Sequence, residues 1–516
     1  MASVKKNIAA NYLGNIATAA LAFLFVPVYV RYLGVSTYGI IGFFATIQVL
    51  FSFLDMGIGM AINREMARHY HDSEKAAYLR RLTYTLQAVY WGIGIVICLV
   101  LLLSSSYLSG NWFKETTVGQ STIYTAFLIL SLTIGFRWPY SLYSSGLRGM
   151  QRQVALNVHD LSWSIIKTVG SWLILKYIDN TLESFLWFQC AVTILQTAGT
   201  LLMTWYYMPS VPEKSKVYFD KKILKDISRY AAGMGIAAIL GTIVLQMDKL
   251  IVSKMVSDKQ FGYYTIATNV AILVYNVSFP LYMAILPHFT RLFYERDYDR
   301  VKEDFHFYAS MLSSLLLPFS VVIFFYSHEF LLLWTKNVEL ADAISPLLKL
   351  MIAGTTLNAM LMPVHTLLLA NNRVRFMLIS HMIACFVGLP VIILLTLKLG
   401  TIGGAISMLL LYAGYLCIQA PMIFSYLHFK QNVIRWYLRD ILLPAVPLVV
   451  LSMVLIQVKK FVISTDRWQL FFNLAVITIV FYVISLLINR RLLNFLVARF
   501  RVLTRRQPME QIKSQK

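Results

Sequence analysis

Residues 8–30 run without a single charged side chain, and stretches like this one recur to the end of the chain. Lipid offers no partner to backbone N–H and C=O groups, so a stretch of about 20 apolar residues crosses a bilayer as a helix. Fourteen such segments can be read: 8–30, 38–62, 82–108, 118–147, 154–175, 184–208, 230–252, 261–289, 305–327, 343–370, 376–397, 399–429, 441–458 and 468–489. The division between the eleventh and twelfth rests on the short turn Lys398-Leu399-Gly400. Only 14% of the residues are charged, against about 25% in soluble domains. The fold class is therefore an all-α polytopic membrane protein with about 14 transmembrane helices. Lys5 and Lys6 before the first segment imitate a signal peptide. The apolar run is too long for one and the next span follows at once, so the sequence predicts an uncleaved first helix.

A second pattern organises these segments. Residues 33–39 read Leu-Gly-Val-Ser-Thr-Tyr-Gly, and a degraded copy of the region returns 223 residues later. Gly39 maps to Gly262, Tyr38 to Phe261, Arg31 to Lys254, Ala61 to Ala284, Ile62 to Ile285 and Arg68 to Arg291. Pro139 stands before Gly146 as Pro363 stands before Ala370, at an offset of 224. A duplicated unit that is almost wholly apolar is the layout of a carrier with two halves. The predicted organisation is two pseudo-symmetric six-helix lobes, 1–208 and 226–430, joined by a polar linker over 209–225. Helices thirteen and fourteen follow over 431–489, then a basic tail over 490–516. The arginine-rich stretch 490–506 reads as an amphipathic helix on the inner leaflet. Proline removes a helix hydrogen bond, and the matched positions of Pro139 and Pro363 make them candidate hinges.

Net charge is +22. Most lysines and arginines fall in loops that alternate to one side, which predicts that both termini are cytoplasmic. Topology and anionic lipid headgroups account for the surplus, so nucleic acid is not an expected partner. Cys98, Cys190, Cys385 and Cys417 all lie in apolar spans and read as small hydrophobes.

Charges inside the spans carry the functional signal. They are Asp55, Arg137, Asp160, Lys167, Asp248, Lys249 and Lys349. Each costs roughly 2.5–3.5 kcal/mol at a bilayer midplane, so each must pair, snorkel or line a hydrated recess. Lys249 is near enough to a span end to snorkel. Arg137 and Asp160 are placed to pair. Asp160 and Lys167, seven residues apart, project from one helix face. The surplus of cations suits an anionic substrate such as a diphosphate. Arg137, Lys167, Lys349 and Lys249 are the candidate substrate contacts. Asp55, Asp160 and Asp248 are candidate charge-pair or coupling-ion residues. His159, His365 and His381 read as interhelical hydrogen-bonding groups, and Trp138 and Trp163 as surfaces on which sugars can stack. No catalytic residue, metal site or cofactor is expected. Asp297-Tyr298-Asp299 imitates a transferase D-x-D but lies in an ordinary charge run, and no G-x-x-x-x-G-K-[ST] run is present.

These residues resemble a known family. Pro27…Arg31-Tyr-Leu-Gly34…Tyr38-Gly39, Asp55-Met-Gly57 and Arg64 in the first half resemble the polysaccharide transporter branch of the multidrug/oligosaccharidyl-lipid/polysaccharide exporter superfamily. So do Asp248-Lys249, Phe261-Gly262-Tyr263 and Pro287-His-Phe-Thr-Arg291 in the second half. The resemblance implies a flippase similar to those for O-antigen repeat units. Such proteins move an undecaprenyl-diphosphate-linked oligosaccharide from the cytoplasmic to the periplasmic leaflet of the bacterial inner membrane. It also implies H⁺ or Na⁺ as a coupling ion and other polysaccharide-assembly membrane proteins as partners. Lipid II flippases and cation-coupled multidrug exporters of the same superfamily are the alternatives. Many of these carry charges in the first span, where this chain has none.

Overall fold

The computed structural model describes residues 2–52, 55, 57–113, 116–211, 218–457 and 467–505. Among the described residues every regular element is helical. In chain order these are α1 (Ala2–Leu33), α2 (Val35–Ser52), α3 (Ile58–His69), α4 (Ala76–Asn111), α5 (Gln120–Arg137), α6 (Tyr140–Gly149) and α7 (Gln153–Tyr177). Then come α8 (Leu182–Tyr207), α9 (Lys221–Met255), α10 (Asp258–Ala271), α11 (Leu273–Glu295), α12 (Tyr298–Phe325), α13 (Ser327–Thr335) and α14 (Val338–Met360). The last are α15 (Met362–Ala370), α16 (Val374–Gly414), α17 (Ala420–Tyr426), α18 (Gln431–Arg435), α19 (Leu443–Gln457), α20 (Arg467–Ile488) and α21 (Arg490–Arg505). π-helical turns occupy Tyr415–Gln419 and Trp436–Leu442. The chain forms two compact units. One holds α1–α9, α10 as far as Ile266 and the 378–404 part of α16; the other holds the remainder.

Ten helical stretches among the described residues are long and apolar enough to cross a membrane. Large apolar side chains on them face outward, such as Val100 and Leu103 on α4 and Phe386 and Val387 on α16. In water such a surface would drive aggregation; in lipid it is the ordinary exterior. The protein is a multi-pass membrane protein. The difference from fourteen has a physical source. Three long helices, α5, α7 and α9, fall outside the ten, and they carry Arg137, Asp160, Lys167, Asp248 and Lys249. In addition, 375–426 counts as one stretch, although Gly400 turns the chain there with φ +58, at the predicted division between segments eleven and twelve.

Several spans that read as continuous are broken. The second stops at Ser52 and restarts at Ile58, with Gly57 at φ +78. A left-handed residue halts a helix, and glycine takes that conformation without a Cβ penalty. The fourth breaks at Trp138-Pro139, where Pro139 becomes the N-cap of α6. The tenth breaks at Leu361, just ahead of Pro363 in the first turn of α15. Proline fits there because its missing N–H would be unpaired anyway. The two matched prolines therefore begin short helices.

Those short helices pack alike. In the first unit α3 lies against α6; in the second α11 lies against α15. These pairs hold corresponding places in the sequence repeat. In the first unit α4 also runs along α5, and a Cβ on Gly94 would stand 2.6 Å from the carbonyl oxygen of Gly135. Small residues let membrane helices approach this closely. In the second unit α12 is central and meets α14, α19 and α20. Phe305, Phe424 and Trp436 cluster there at centroid separations of 5.3–6.3 Å. α3 and α11 run on past the apolar stretches into the polar segments that follow them. Arg64–Glu65 at 2.9 Å and His288–Asp304 at 2.6 Å hold these polar extensions.

Candidate functional site

Arg137 is the last residue of α5, and the break at Trp138-Pro139 turns its side chain into an exposed position. Its guanidinium lies 5.4 Å from the centroid of the Tyr140 ring. Tyr140 donates its hydroxyl to Asp160 Oδ2 at 2.7 Å, and Gln196 Nε2 donates to Asp160 Oδ1 at 3.2 Å. The expected direct pair of Arg137 with Asp160 is therefore not formed; the tyrosine stands between them. Next to it, Trp163 Nε1 donates to His159 Nε2 at 2.9 Å. An indole can only donate, so the proton of a neutral His159 ring sits on Nδ1, 3.5 Å from Asp160 Oδ1. Asp160 is thus held by neutral donors.

Lys167 lies two turns further along α7. Its side chain is half-buried. The charge of Arg137 reaches it. Among the described residues neither Arg137 nor Lys167 forms an ion pair with a carboxylate. Two cations against the single carboxylate of Asp160, which neutral donors hold, leave this part of the first unit with a positive excess. Such an excess attracts a polyanion.

The other candidates are dispersed. Lys249 Nζ donates to Gln246 Oε1 at 2.9 Å, while its neighbour Asp248 is buried and accepts from Tyr264 at 2.7 Å. Lys349 is half-buried on α14 in the second unit. Asp55 sits in the break of the second span and accepts from Tyr90, from Gly59 N at 3.3 Å and from Ser141 Oγ at 3.4 Å. It ties the broken span to α4 and α6. His365 Nε2 and Gln419 Oε1 are 3.2 Å apart. In the D-x-D run, Asp297 caps α12 through Arg300 N and Asp299 pairs with Lys302 at 3.0 Å, both structural uses. No group of three or more His, Cys, Asp or Glu among the described residues could hold a metal ion.

Sequence reasoning missed the tyrosines. Asp55, Asp160 and Asp248 each receive a tyrosine hydroxyl, from Tyr90, Tyr140 and Tyr264. The 30 tyrosines of the chain were a compositional hint, but their partners lie on other helices or other turns. It also missed Asp258. This fully buried carboxylate accepts from Thr117 N at 2.8 Å and from the hydroxyls of Thr116 and Thr117 at 3.1 Å each.

A duplicated set of broken membrane helices with partly solvated cations on α5 and α7 defines a polytopic helical transporter. The profile of the polysaccharide biosynthesis protein family matches residues 4–293, and the chain belongs to that family. The MatE profile also matches, over residues 234–394. No curated protein matches the sequence. Among solved structures, the lipid II flippase MurJ in an inward closed conformation shares the fold with a TM-score of 0.68 at 15% identity. That match covers 94% of this chain and 99% of MurJ. An inward-facing multidrug resistance MATE transporter has a TM-score of 0.65 at 15% identity, over 82% of this chain and 98% of its own. A transporter from Pyrococcus furiosus, described as having a binding pocket of reversed polarity, has a TM-score of 0.58 at 14% identity, over 84% and 96%. The chain has the fold of the multidrug/oligosaccharidyl-lipid/polysaccharide exporter superfamily.

Proposed function

We propose that this protein is a flippase for an undecaprenyl-diphosphate-linked oligosaccharide, an O-antigen or similar polysaccharide repeat unit. It carries the unit from the cytoplasmic to the periplasmic leaflet of the bacterial inner membrane by alternating access, with both termini in the cytoplasm. The observation that supports this most is that, among the described residues, neither Arg137 nor Lys167 forms an ion pair with a carboxylate. A sugar diphosphate cannot shed its hydration shell in hydrocarbon. Guanidinium and ammonium groups in a recess replace that shell, and the polyprenyl tail stays in lipid. Lys249 and Lys349 are further candidate substrate contacts, each within its own unit, Asp55, Asp160 and Asp248 keep the charge balance or couple an ion such as H⁺ or Na⁺, and the breaks at Pro139 and Pro363 act as hinges. Other polysaccharide-assembly membrane proteins are its partners.

A second reading, transport of lipid II, draws on the match to MurJ over 94% of the chain, against 82–84% for MATE transporters. One experiment tests both. The purified protein is reconstituted in liposomes with labelled undecaprenyl-diphosphate oligosaccharide or lipid II, and exposure to an impermeant probe is followed. Protein-dependent transfer that is lost in Lys167→Ala supports a lipid-diphosphate path, and the preferred head decides between the two. Transport of a cationic dye with no lipid transfer would instead make the protein a drug exporter.

A further inference from the structure

A cavity of about 190 Å³ opens in the second unit, where α12, the π-helical turn Trp436–Leu442, the start of α19 and the α20–α21 junction come together. Four arginines line it: Arg435 and Arg439 on one side, Arg490 and Arg491 on the other. The local sequence explains this placement. Asn489, between α20 and α21, donates from Nδ2 to Ser314 Oγ at 3.0 Å, and its Oδ1 accepts from Leu492 N at 3.2 Å. The side chain thus caps α21 and fastens its first turn to α12, which brings Arg490 and Arg491 to the rim.

Among the lining residues Asp440 is the one carboxylate. It is already engaged, because it and His306 form a pair through Nδ1 in which both side chains are 3% exposed. Glu303 reaches Arg491 only at 3.9 Å, with both side chains largely in solvent, a geometry that neutralises little. The cavity therefore keeps a cationic excess. His306 adds a second sign of an absent partner, since its other ring nitrogen, Nε2, is buried and has no hydrogen-bond partner among the described residues. Buried polar atoms are nearly always satisfied. An imidazole fixed by a carboxylate at one nitrogen and idle at the other is prepared to meet an oxyanion.

We infer that this cavity is a phosphate-binding site. Several guanidinium forks and an imidazole converge on a space smaller than the roughly 300–1,000 Å³ of sites for drug-sized ligands. One tetrahedral oxyanion with several acceptor oxygens fits that chemistry, whereas a glycan chain exceeds the space. The site takes one wall from α12 of the predicted second lobe and the rest from the residues that follow that lobe, and it goes beyond the flippase reading, on which it does not depend. Its occupant is the phosphate of an anionic lipid headgroup or a free phosphate. Bound there, either fastens the basic helix α21 to α12.

The test uses the full-length protein in detergent, with retained lipid counted by native mass spectrometry after incubation with phosphatidylglycerol or phosphatidylcholine. The wild type is expected to retain phosphatidylglycerol preferentially. Arg439→Ala with Arg490→Ala weakens that retention at least roughly tenfold, and the matching pair of lysine substitutions falls between. Both arginines are exposed, and an unchanged melting temperature without lipid verifies that the variant folds. Displacement of phosphatidylglycerol by millimolar inorganic phosphate assigns the site to the free anion; resistance to displacement assigns it to the lipid. Equal retention of both lipids with no binding of phosphate, or a double alanine variant that binds like the wild type, overturns the proposal.

Discussion

Gly39 and Gly262 hold the same place in the two copies of the repeat, and they meet backbone to backbone. A Cβ on Gly39 would stand 2.5 Å from the carbonyl oxygen of Asp258 and 2.8 Å from Gly262 N. A Cβ on Gly262 would press on the carbonyl of Val35, which is the counterpart of Asp258. One turn along α2, Gly42 faces Thr265, again its own counterpart. Exchanging the two copies leaves the contact unchanged, as in an isologous two-fold interface.

Neither glycine can gain a side chain without displacing backbone. Gly39→Leu and Gly262→Leu are each expected to destabilise the protein by about 1–3 kcal/mol, read as a lower melting temperature in detergent. Gly92, which has open space around it, is the control, and Gly92→Leu leaves the melting temperature near that of the wild type. An unchanged melting temperature in Gly39→Leu would mean that the two segments do not touch.

Arg137→Ala and Lys167→Ala are expected to abolish surface polysaccharide while leaving protein level unchanged. Arg137→Lys keeps the charge but not the planar fork, and should retain part of the output. Quantitative immunoblotting beside polysaccharide staining of cells separates transport from abundance. Full output in both alanine variants would remove these residues from the substrate path.

Tyr264→Phe takes a hydrogen bond from the buried carboxylate of Asp248. The expected loss is about 1–3 kcal/mol. Adding Asp248→Asn removes the buried charge and should recover part of it. A double variant no more stable than Tyr264→Phe would count against this account of the pair.

Asp258 pins the 116–118 segment through three hydrogen bonds from Thr116 and Thr117. Asp258→Ala is expected to raise hydrogen exchange at Thr117 and Val118 at least roughly tenfold, measured by mass spectrometry. Exchange unchanged from the wild type would show that the segment is held otherwise.

Asp179 lies outside the spans, and the hydroxyls of Thr181 and Ser184 at 2.6 and 2.7 Å hold its carboxyl below the usual range. The folded form of this turn therefore binds a proton less readily than the unfolded one. Its contribution is present above the ordinary carboxylate value of about 3.9 and fades as pH falls through the lower folded value. Acidification below about pH 4 should raise exchange at the start of α8, and Asp179→Asn should remove that dependence.

The sequence carries more of this molecule in its pattern than in its partners. Matched motifs point to a duplication, and α3 packs on α6 as α11 packs on α15. Gly400 was legible as a turn because glycine and a lysine interrupt an apolar run. The end of α2 at Ser52 and the restart at Ile58 were not, since the run from Tyr38 to Ile62 stays apolar on both sides and only Asp55 and Gly57 interrupt it. Intramembrane charges were visible at once. Their tyrosine partners were not, because a hydroxyl that crosses from α4 to Asp55 leaves no periodicity behind. Arg435, Arg439 and Asp440 carry no site signal in the sequence, and only the tertiary approach of His306 and Asn489 makes them a cavity wall.

The wide turn at Trp436–Leu442 has a consequence for how this protein tolerates length changes. A π-helical turn holds one residue more than the α-helix around it. Deleting Arg439, for example, would let the helix close to regular pitch and shift the residues within the turn around the axis, while the flanking turns keep their register. Asp440 would then swing off His306, although every apolar residue of the span survived. Substitutions at the exposed Leu438 and Leu442 should be absorbed one at a time, but a one-codon deletion should not. The extra residue acts as a register pin.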